Sequence, residues 1–357
     1  MEWLSPVDYS SQQQDVIAKR QPGTGEWLLT SREFKEFVRE PGKTMLCPGI
    51  PGAGKTVLAA TIIDHLQTAF QGDQNIAVVY LYFNYQVQQE QSHKALLRCL
   101  IKQLIELQPR ASAEVEKLMS CHKEKRTRPS LDEGSAAFSV AVRALTNIYL
   151  VMDALDEYHA LDPSDLYGWL NHIFTLQQAS RFNILATSRP ISEILAKFVS
   201  PIRKDIEAHE DGIESYIDTG KQRLLGGKLS SQSSLQELVK KQVLNATKGM
   251  FLLAKLHMDS LEGQARAGDL KRALRNLPQG SDRLDKTYDE TLKRIDSQSE
   301  SNRRLGRSIL CWITYAERPL LAEELGEAVA VEENDTELDK DFCVDPSDID
   351  SYCAGLI

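Results

Sequence analysis

The chain has 357 residues, of which 42 are Lys or Arg and 51 are Asp or Glu, so its formal net charge is −9. A hydrophobic fraction of 42% excludes a wholly disordered chain, and the Gly and Pro contents exclude a collagen-like or low-complexity one. The length suggests two or three domains. The acidic excess argues weakly against a nucleic-acid-binding protein that relies on bulk positive charge.

The N-terminus and the cysteines indicate where in the cell the protein is located. The first residues lack the basic and apolar segments of a secretory signal. The longest strongly apolar run, at about residues 76–83, is far too short to span a bilayer, so no membrane segment is predicted. The six cysteines are scattered without a C-x-x-C pair, which favours reduced thiols over a zinc site or a redox motif. These features predict a soluble, cytoplasmic protein.

The first half of the chain alternates between strands and helices. Residues 1–21 are polar and rich in Gln and Ser, which predicts no contribution to a core. A helix is predicted from Ser31, a candidate N-cap, to the break at Pro41 and Gly42. Alternation at this spacing is typical of a parallel sheet covered by helices. The predicted strands are 44–47, 76–84, 148–152, 182–187 and a weaker fifth at 201–206, with helices at 55–70, 93–107 and 166–177.

Beyond about residue 207 the strand pattern stops, and only helical periodicity remains. We therefore expect a helical bundle after the α/β region. An acidic segment follows, since residues 332–357 carry nine acids and one base, which leaves the rest of the chain close to neutral. The helices are predicted at 213–225, 235–247, 250–261, 270–277, 284–295, 305–315 and 322–331.

The most specific pattern is a phosphate-binding loop, G-x-x-x-x-G-K-[ST], between an apolar strand and an apolar helix. Glycines let successive backbone N–H groups point at phosphate oxygens, and the N-terminus of the following helix favours the same anion. Lys55 can reach the β- and γ-phosphates, and Thr56 offers its hydroxyl to Mg²⁺. The predicted nucleotide-binding residues are Gly49, Ile50, Pro51, Gly52, Ala53, Gly54, Lys55, Thr56 and Val57.

Three acids follow the predicted strand at 148–152. Ligands bind at the carboxyl ends of parallel strands, so Asp153 is predicted to hold Mg²⁺. Asp156 and Glu157 are predicted to orient or deprotonate an attacking water. Alone, this pattern would equally fit a strand followed by a capped helix. A full strand between the loop and the acids is typical of the P-loop branch that uses a catalytic acid.

The next predicted strand ends in Thr-Ser-Arg-Pro, at residues 187–190. This spacing places Arg189 at the sheet edge, where it can sense a γ-phosphate through a charge-assisted hydrogen bond. The alternative is a surface ion pair, because an arginine after a strand is common.

Together, residues 49–56, 153–157 and 187–190 resemble a NACHT domain, found in signal-transduction NTPases of the STAND class related to NOD-like receptors. Residues 23–29 and 47–56 resemble in particular the NACHT proteins of filamentous fungi, many of which carry ankyrin or other repeats downstream. Residues 248–254 and 277–288 are similar to the helical region of that group.

The resemblance implies an α/β P-loop NTPase sheet of the ASCE/STAND type, followed by a helical domain and a partial winged helix. It divides the chain into a leader (1–42), a NACHT domain (43–207), a helical domain (208–297) and a partial winged helix (298–357). It also implies Mg²⁺-dependent binding of ATP or GTP, slow hydrolysis to ADP or GDP, and self-association on activation. Asp153 would be the Mg²⁺ acid, Asp156 and Glu157 the hydrolytic acids, and Arg189 the sensor.

The chain departs from that family in three respects. Ala154 stands where Gly is frequent, and residues 249–251 read Gly-Met-Phe where relatives have Gly-Leu-Pro near the adenine. The chain also ends within the expected winged helix, so the His-containing segment, repeats and effector domains of relatives would lie beyond it.

Two other functions stay open: a non-hydrolysing adaptor with nucleotide as a structural cofactor, and a mechanical ATPase of the AAA+ kind. No N-K-x-D motif occurs, so the base is not assigned. The basic cluster at 123–129 lacks interleaved aromatics, so no nucleic-acid partner is predicted. The Leu-Gly-Gly-Lys at 225–228 is interpreted as a turn.

Overall fold

The chain divides into two compact units, Met1–Glu207 (unit 1) and Ala208–Ile357 (unit 2). The turn predicted at 225–228, residues 332–337 of the acidic segment, and residues 123, 125 and 126 of the basic cluster lie outside the described residues. The computed structural model describes residues 4–5, 7–20, 23–84, 91–107, 115, 120, 122, 124, 127–159, 163–207, 212–218, 233–247, 250–261, 266–278, 283–318, 320–331 and 338–353.

Unit 1 is an α/β structure in which short strands alternate with helices. Its elements are, in chain order, α1 (Ser10–Ala18), α2 (Glu26–Leu29), α3 (Arg32–Arg39), β1 (Thr44–Pro48), α4 (Lys55–Ala69), β2 (Ile76–Tyr82), α5 (His93–Leu107), α6 (Leu131–Arg143), β3 (Asn147–Asp153), α7 (Leu155–His159), α8 (Pro163–Ser180), β4 (Asn183–Ser188), α9 (Ser192–Leu195) and β5 (Ile202–Arg203).

The five strands form one parallel sheet in the order β2-β3-β4-β1-β5, which confirms the predicted sheet. β4 therefore lies between β1 and β3, although it follows both in the chain. Cys47 of β1 pairs with Thr187 of β4, and Met152 of β3 pairs with the preceding Ala186. The carboxyl ends of three neighbouring strands consequently meet at one edge of the sheet. This is the strand order expected of the P-loop branch that uses a catalytic acid.

The sheet forms because its strands are apolar on both faces, as buried parallel strands require. Every residue of β4 is buried, as are Ile148 to Asp153 in β3 and Ala77 to Tyr82 in β2. The aromatic run at 80–83 belongs to this core. The predicted strand at 201–206 is shorter than expected, with two residues in β5 and an isolated bridge from Gly49 to Ile206.

A helix that periodicity alone did not reveal, α6, packs against α5 and α8. α6 begins with a capping box, in which the Ser130 hydroxyl accepts from the Glu133 N–H at 3.3 Å. The Ser130 N–H in turn donates to the Glu133 carboxylate at 2.8 Å. The Ser-x-x-Glu spacing is visible in the sequence and is the pattern that predicts such a helix start.

The prediction that residues 1–21 add nothing to the core was wrong. Leu4 and Tyr9 are buried in the core of unit 1, and Gln13 of α1 is 6% exposed. The Gln13 amide donates to the Ala60 carbonyl of α4 at 2.9 Å, and its oxygen accepts from the buried Tyr82 hydroxyl. A polar composition concealed this role, because the amide group satisfies buried polar atoms rather than facing water.

All the regular secondary structure that the structure describes in unit 2 is helical, as predicted. It holds two separate clusters of buried apolar side chains, one around Val239 and Met258 and the other around Ile309 and Leu325. No strand of a winged helix occurs among its described residues, so that domain stays a prediction. Its helices are 212–218, α10 (Ser233–Thr247), α11 (Phe251–Leu261), α12 (Ala267–Arg275), α13 (Arg283–Asp296), α14 (Glu300–Tyr315), α15 (Ala322–Ala328) and α16 (Ile349–Tyr352).

No helix among the residues that the structure describes combines the length and the apolar character needed to cross a membrane.

We expect Gln13→Ala to lower the free energy of unfolding of unit 1 by about 1–3 kcal/mol, because it leaves the buried Tyr82 hydroxyl without its acceptor. Gln14→Ala, on the exposed face of the same helix, should change it by less than about 0.5 kcal/mol. Denaturant unfolding measures both values. In Tyr82→Phe, the Gln13 substitution should cost less, and an equal cost in both backgrounds would contradict this account.

Candidate functional site

The phosphate loop connects β1 to α4, and the backbone conformation or packing explains each of its three glycines, two of which are fixed positions of the motif. Gly52 and Gly54 have φ values of 72° and 89°, in the left-handed region that glycine adopts without strain. Gly49 donates its N–H to the Ser188 carbonyl at 2.9 Å. A Cβ on Gly49 would lie 2.9 Å from the Cβ and the carbonyl oxygen of Ile206, so no larger residue fits. The loop is thus anchored to β4 and to the residue that follows β5.

The Lys55 side chain folds back over this loop. Its Nζ donates to the Gly49 carbonyl at 3.0 Å and to the Ile50 carbonyl at 3.2 Å. Burial lowers the pKa of the Lys55 ammonium, and the carboxylates of Asp156 and Asp153 oppose that shift. The Lys55 ammonium therefore interacts electrostatically with the acids that follow β3. The sequence predicted that this lysine and these acids belong to one site.

Asp153 ends β3 and is buried, with only 2% of its surface exposed. The Thr187 hydroxyl of β4 donates to its Oδ1 at 2.6 Å. Burial raises the pKa of the Asp153 carboxyl, while the side chains of Thr187, Thr56 and Lys55 lower it. The first turn of α4 therefore contributes to the electrostatic environment of this carboxylate.

The chain turns sharply after Asp153. Ala154 has a φ of 59°, a left-handed conformation that costs a residue with a Cβ roughly 1–2 kcal/mol. This explains why glycine is frequent at that position in the family that the sequence resembles. The Ala154 N–H donates to the Thr187 hydroxyl at 3.0 Å, and the Glu157 N–H donates to the Ala154 carbonyl at 2.9 Å. The turn at residues 153–157, here called the acidic turn, is thereby fixed to β4.

The end of β4 also holds the second acid of this turn. Asp156 Oδ1 accepts from the Arg189 N–H at 2.9 Å, and its Oδ2 lies 2.9 Å from the Arg189 Nε. The Asp156 side chain is 5% exposed and that of Arg189 is 53% exposed. Arg189 thus forms an ion pair, with a buried rather than a surface carboxylate, at the end of β4. Its role as a γ-phosphate sensor stays a prediction.

The predicted residues differ in how deeply they enter this site. Ile50 and Pro51 are exposed at the tip of the loop, whereas Ala53 is buried. Val57 lies in the first turn of α4, and its carbonyl accepts from the Thr61 hydroxyl at 2.7 Å. Glu157 is half-buried.

Thr187 is a site residue that the sequence analysis did not single out. A polar residue that ends an otherwise apolar strand, directly before the predicted sensor, was the available signal. Its importance depends on β4 lying between β1 and β3, which only the sheet order reveals.

The oxygen atoms at this edge fit a hard divalent cation. The Thr56 hydroxyl and the Asp153 carboxylate are adjacent, and Mg²⁺ prefers such oxygen ligands. Among the described residues, no group of three or more His, Cys, Asp or Glu side chains could hold a metal ion. Two protein ligands suit Mg²⁺, which commonly completes its coordination with water and phosphate oxygens.

The parallel sheet, the loop between β1 and α4, and the acid at the end of β3 define the fold as that of an α/β P-loop NTPase, followed by a helical region.

Comparison with known proteins gives one family match. Residues 23–189 match the family model described as Nephrocystin 3, N-terminal, a segment that contains the loop, the acidic turn and Arg189. Among curated proteins, none matches the chain in sequence.

Several solved structures resemble the chain weakly. A Walker-type ATPase of Pyrococcus abyssi is 13% identical with a TM-score of 0.43, covering 81% of this chain and 83% of its own. Cdc6p from Pyrobaculum aerophilum is 14% identical with a TM-score of 0.41, covering 90% and 83%. AMPPCP-bound DnaA from Aquifex aeolicus is 13% identical with a TM-score of 0.37, covering 94% and 89%. Similarity this weak says nothing about what this chain binds or does.

We expect Thr187→Val to lower the free energy of unfolding by roughly 1–3 kcal/mol, because it leaves the buried Ala154 N–H and Asp153 without their shared hydroxyl. The same substitution at Thr61, which is also buried, should cost less than about 1 kcal/mol, since its hydroxyl bonds a carbonyl of its own helix. Denaturant unfolding of the two variants compares these costs. Equal losses of unfolding free energy in the two variants would show that the Thr187 hydroxyl stabilises the protein no more than the Thr61 hydroxyl does.

Proposed function

We propose that this protein is a nucleotide-operated switch that binds a Mg²⁺-bound nucleoside triphosphate, ATP or GTP, and hydrolyses it slowly. One observation carries the proposal: Lys55, Thr56, Asp153 and Arg189 converge on one edge of the sheet, from the ends of β1, β3 and β4. A loop of backbone N–H groups with a lysine, beside a buried carboxylate, suits a phosphate chain and its cation.

Binding would use the loop and its lysine. The backbone N–H groups of residues 52–56 would surround the phosphates at the N-terminus of α4, where the helix dipole favours an anion. Lys55 would leave the carbonyls of Gly49 and Ile50 for phosphate oxygens, which are stronger acceptors for an ammonium. Thr56 and Asp153 would hold Mg²⁺, which neutralises charge on the β- and γ-phosphates when bound.

Hydrolysis would use the acidic turn. A water oxygen forms a bond to the γ-phosphorus while the bond from that phosphorus to the bridging oxygen breaks. The diphosphate leaves with the electron pair, and the water proton passes to a carboxylate of the turn, Asp156 or Glu157. Arg189 would stabilise the charge on the transferred group.

The switching role rests on the resemblance of residues 49–56, 153–157 and 187–190 to NACHT domains. In this proposal the nucleotide state controls opening and self-association, with residues 208–297 as the helical domain and residues 298–357 as part of a winged helix. The fungal NOD-like-receptor type of innate recognition, with repeats in a longer chain, is the biological setting that the resemblance suggests.

Lys55→Ala is expected to lower the affinity for Mg-ATP or Mg-GTP by at least tenfold, since a charge-assisted bond to phosphate contributes about 1.5–3 kcal/mol. Lys35→Ala, an exposed lysine of α3, is the matched control and should bind as the unmodified protein does. Titration calorimetry with both triphosphates measures these affinities. Unchanged affinity in Lys55→Ala would refute nucleotide binding by the loop.

Glu157→Gln is expected to retain nucleotide binding and to slow single-turnover hydrolysis by about 100-fold or more, the usual contribution of a general base. Glu106→Gln, at an exposed position of α5, should leave the rate unchanged. The measurement is phosphate release from one bound triphosphate. If the unmodified protein releases none over hours and retains diphosphate tightly, it is a non-hydrolysing adaptor, and the hydrolytic part of the proposal fails.

A further inference from the structure

The two acids after β3 occupy different environments, although they are neighbours in the chain. Successive residues of a helical turn point about 100° apart. The Asp156 side chain faces the end of β4 and is almost fully buried, whereas Glu157 is half-buried. The left-handed conformation of Ala154 sets this difference, because it fixes the direction in which α7 begins.

Both carboxylate oxygens of Asp156 are occupied by the same residue. Oδ1 accepts from the Arg189 backbone N–H, and Oδ2 pairs with its Nε, each at 2.9 Å. A carboxylate held in this way, at 5% side-chain exposure, has little room to take up a water as well. Glu157 follows Asp156 in the same turn and is only half-buried, so its carboxylate is more accessible to a water.

In this pair, Arg189 uses only its backbone N–H and its Nε. Among the described residues, Asp156 is the one acceptor that bonds its side chain, through Nε, so the outer Nη groups are available to an anion. Arg189 directly follows β4, whose Ser188 carbonyl accepts from the Gly49 N–H of the phosphate loop, and Lys55 bonds two carbonyls of that loop. Two cations at one edge of the sheet, each anchored by protein acceptors, suit one shared anion such as a terminal phosphate.

We infer that Asp156 is a positioning residue that fixes the Arg189 guanidinium toward a terminal phosphate, while Glu157 is the acid that receives the water proton. This inference rests on the proposed function and assigns separate roles to two acids that the motif leaves equivalent. Asp156 thereby determines how strongly the site prefers a triphosphate over a diphosphate, although it touches neither.

The test measures that preference in a Glu157→Gln background, which prevents hydrolysis during the titration. Mg-ATP, Mg-ADP, Mg-GTP and Mg-GDP are titrated, and the ratio of triphosphate to diphosphate affinity is compared. Asp156→Asn should lower this ratio by roughly tenfold or more, as Arg189→Gln does, because its amide NH₂ cannot accept from one of the two donors. The double variant should match Arg189→Gln within about twofold, since both remove one interaction.

An unchanged ratio in Asp156→Asn, or losses that multiply in the double variant, would overturn the inference. If Asp156→Asn fails to fold, Arg189→Lys decides, because it keeps a charge and the backbone N–H but lacks the Nε that Asp156 holds. A tenfold lower ratio is expected there, and a normal ratio would overturn the inference. Triphosphate binding that does not depend on Lys55 would refute the proposed function itself, whereas Lys55-dependent binding with an unchanged ratio would refute only the role of Asp156.

Discussion

The candidate site depends on the hydrogen bonds that join the end of β4 to its two neighbours in the sheet. The strands β1 and β3 are separated by β4, so their ends lie about 10 Å apart at the usual spacing of neighbouring strands. Residues of β4 and its end bridge that gap. Ser188 accepts from Gly49 on one side, while Thr187 and Arg189 hold Asp153 and Asp156 on the other. The phosphate loop and the acids are thus positioned by one strand that belongs to neither motif.

The burial of Asp153 and Asp156 makes this arrangement costly in solvation free energy. A carboxylate removed from water must be compensated by donors, and Asp153 obtains them from Thr187 and Thr56. Asp156 obtains them from Arg189. Burial nevertheless raises the pKa of the Asp153 carboxyl, so these groups compensate only part of its cost. A site with a surplus of buried negative charge on one side and two cations on the other is suited to a cation and a phosphate together.

Much of this could be predicted from sequence, because the relevant patterns are local. The strand at 76–82 and the helix at 93–107 follow from periodicity, and the loop follows from its fixed glycines and lysine. Other features depend on contacts between distant residues and could not be predicted. Gln13 is indistinguishable from its exposed neighbours until the Ala60 carbonyl and the Tyr82 hydroxyl are near it.

The sequence by itself determined the phosphate loop, the parallel α/β class and the polar residues predicted for the site, but not Thr187. Backbone requirements and hydrophobic periodicity are properties of short segments, and they can be recognised without knowledge of the fold. Only the tertiary structure decided how those polar residues divide their tasks. The order of strands placed Thr187 and Arg189 between the loop and the acids, and the left-handed turn at Ala154 aimed Asp156 at Arg189 rather than at the loop. Pairing across a sheet joins residues more than thirty positions apart, and no local pattern encodes which of two adjacent carboxylates such a partner will occupy.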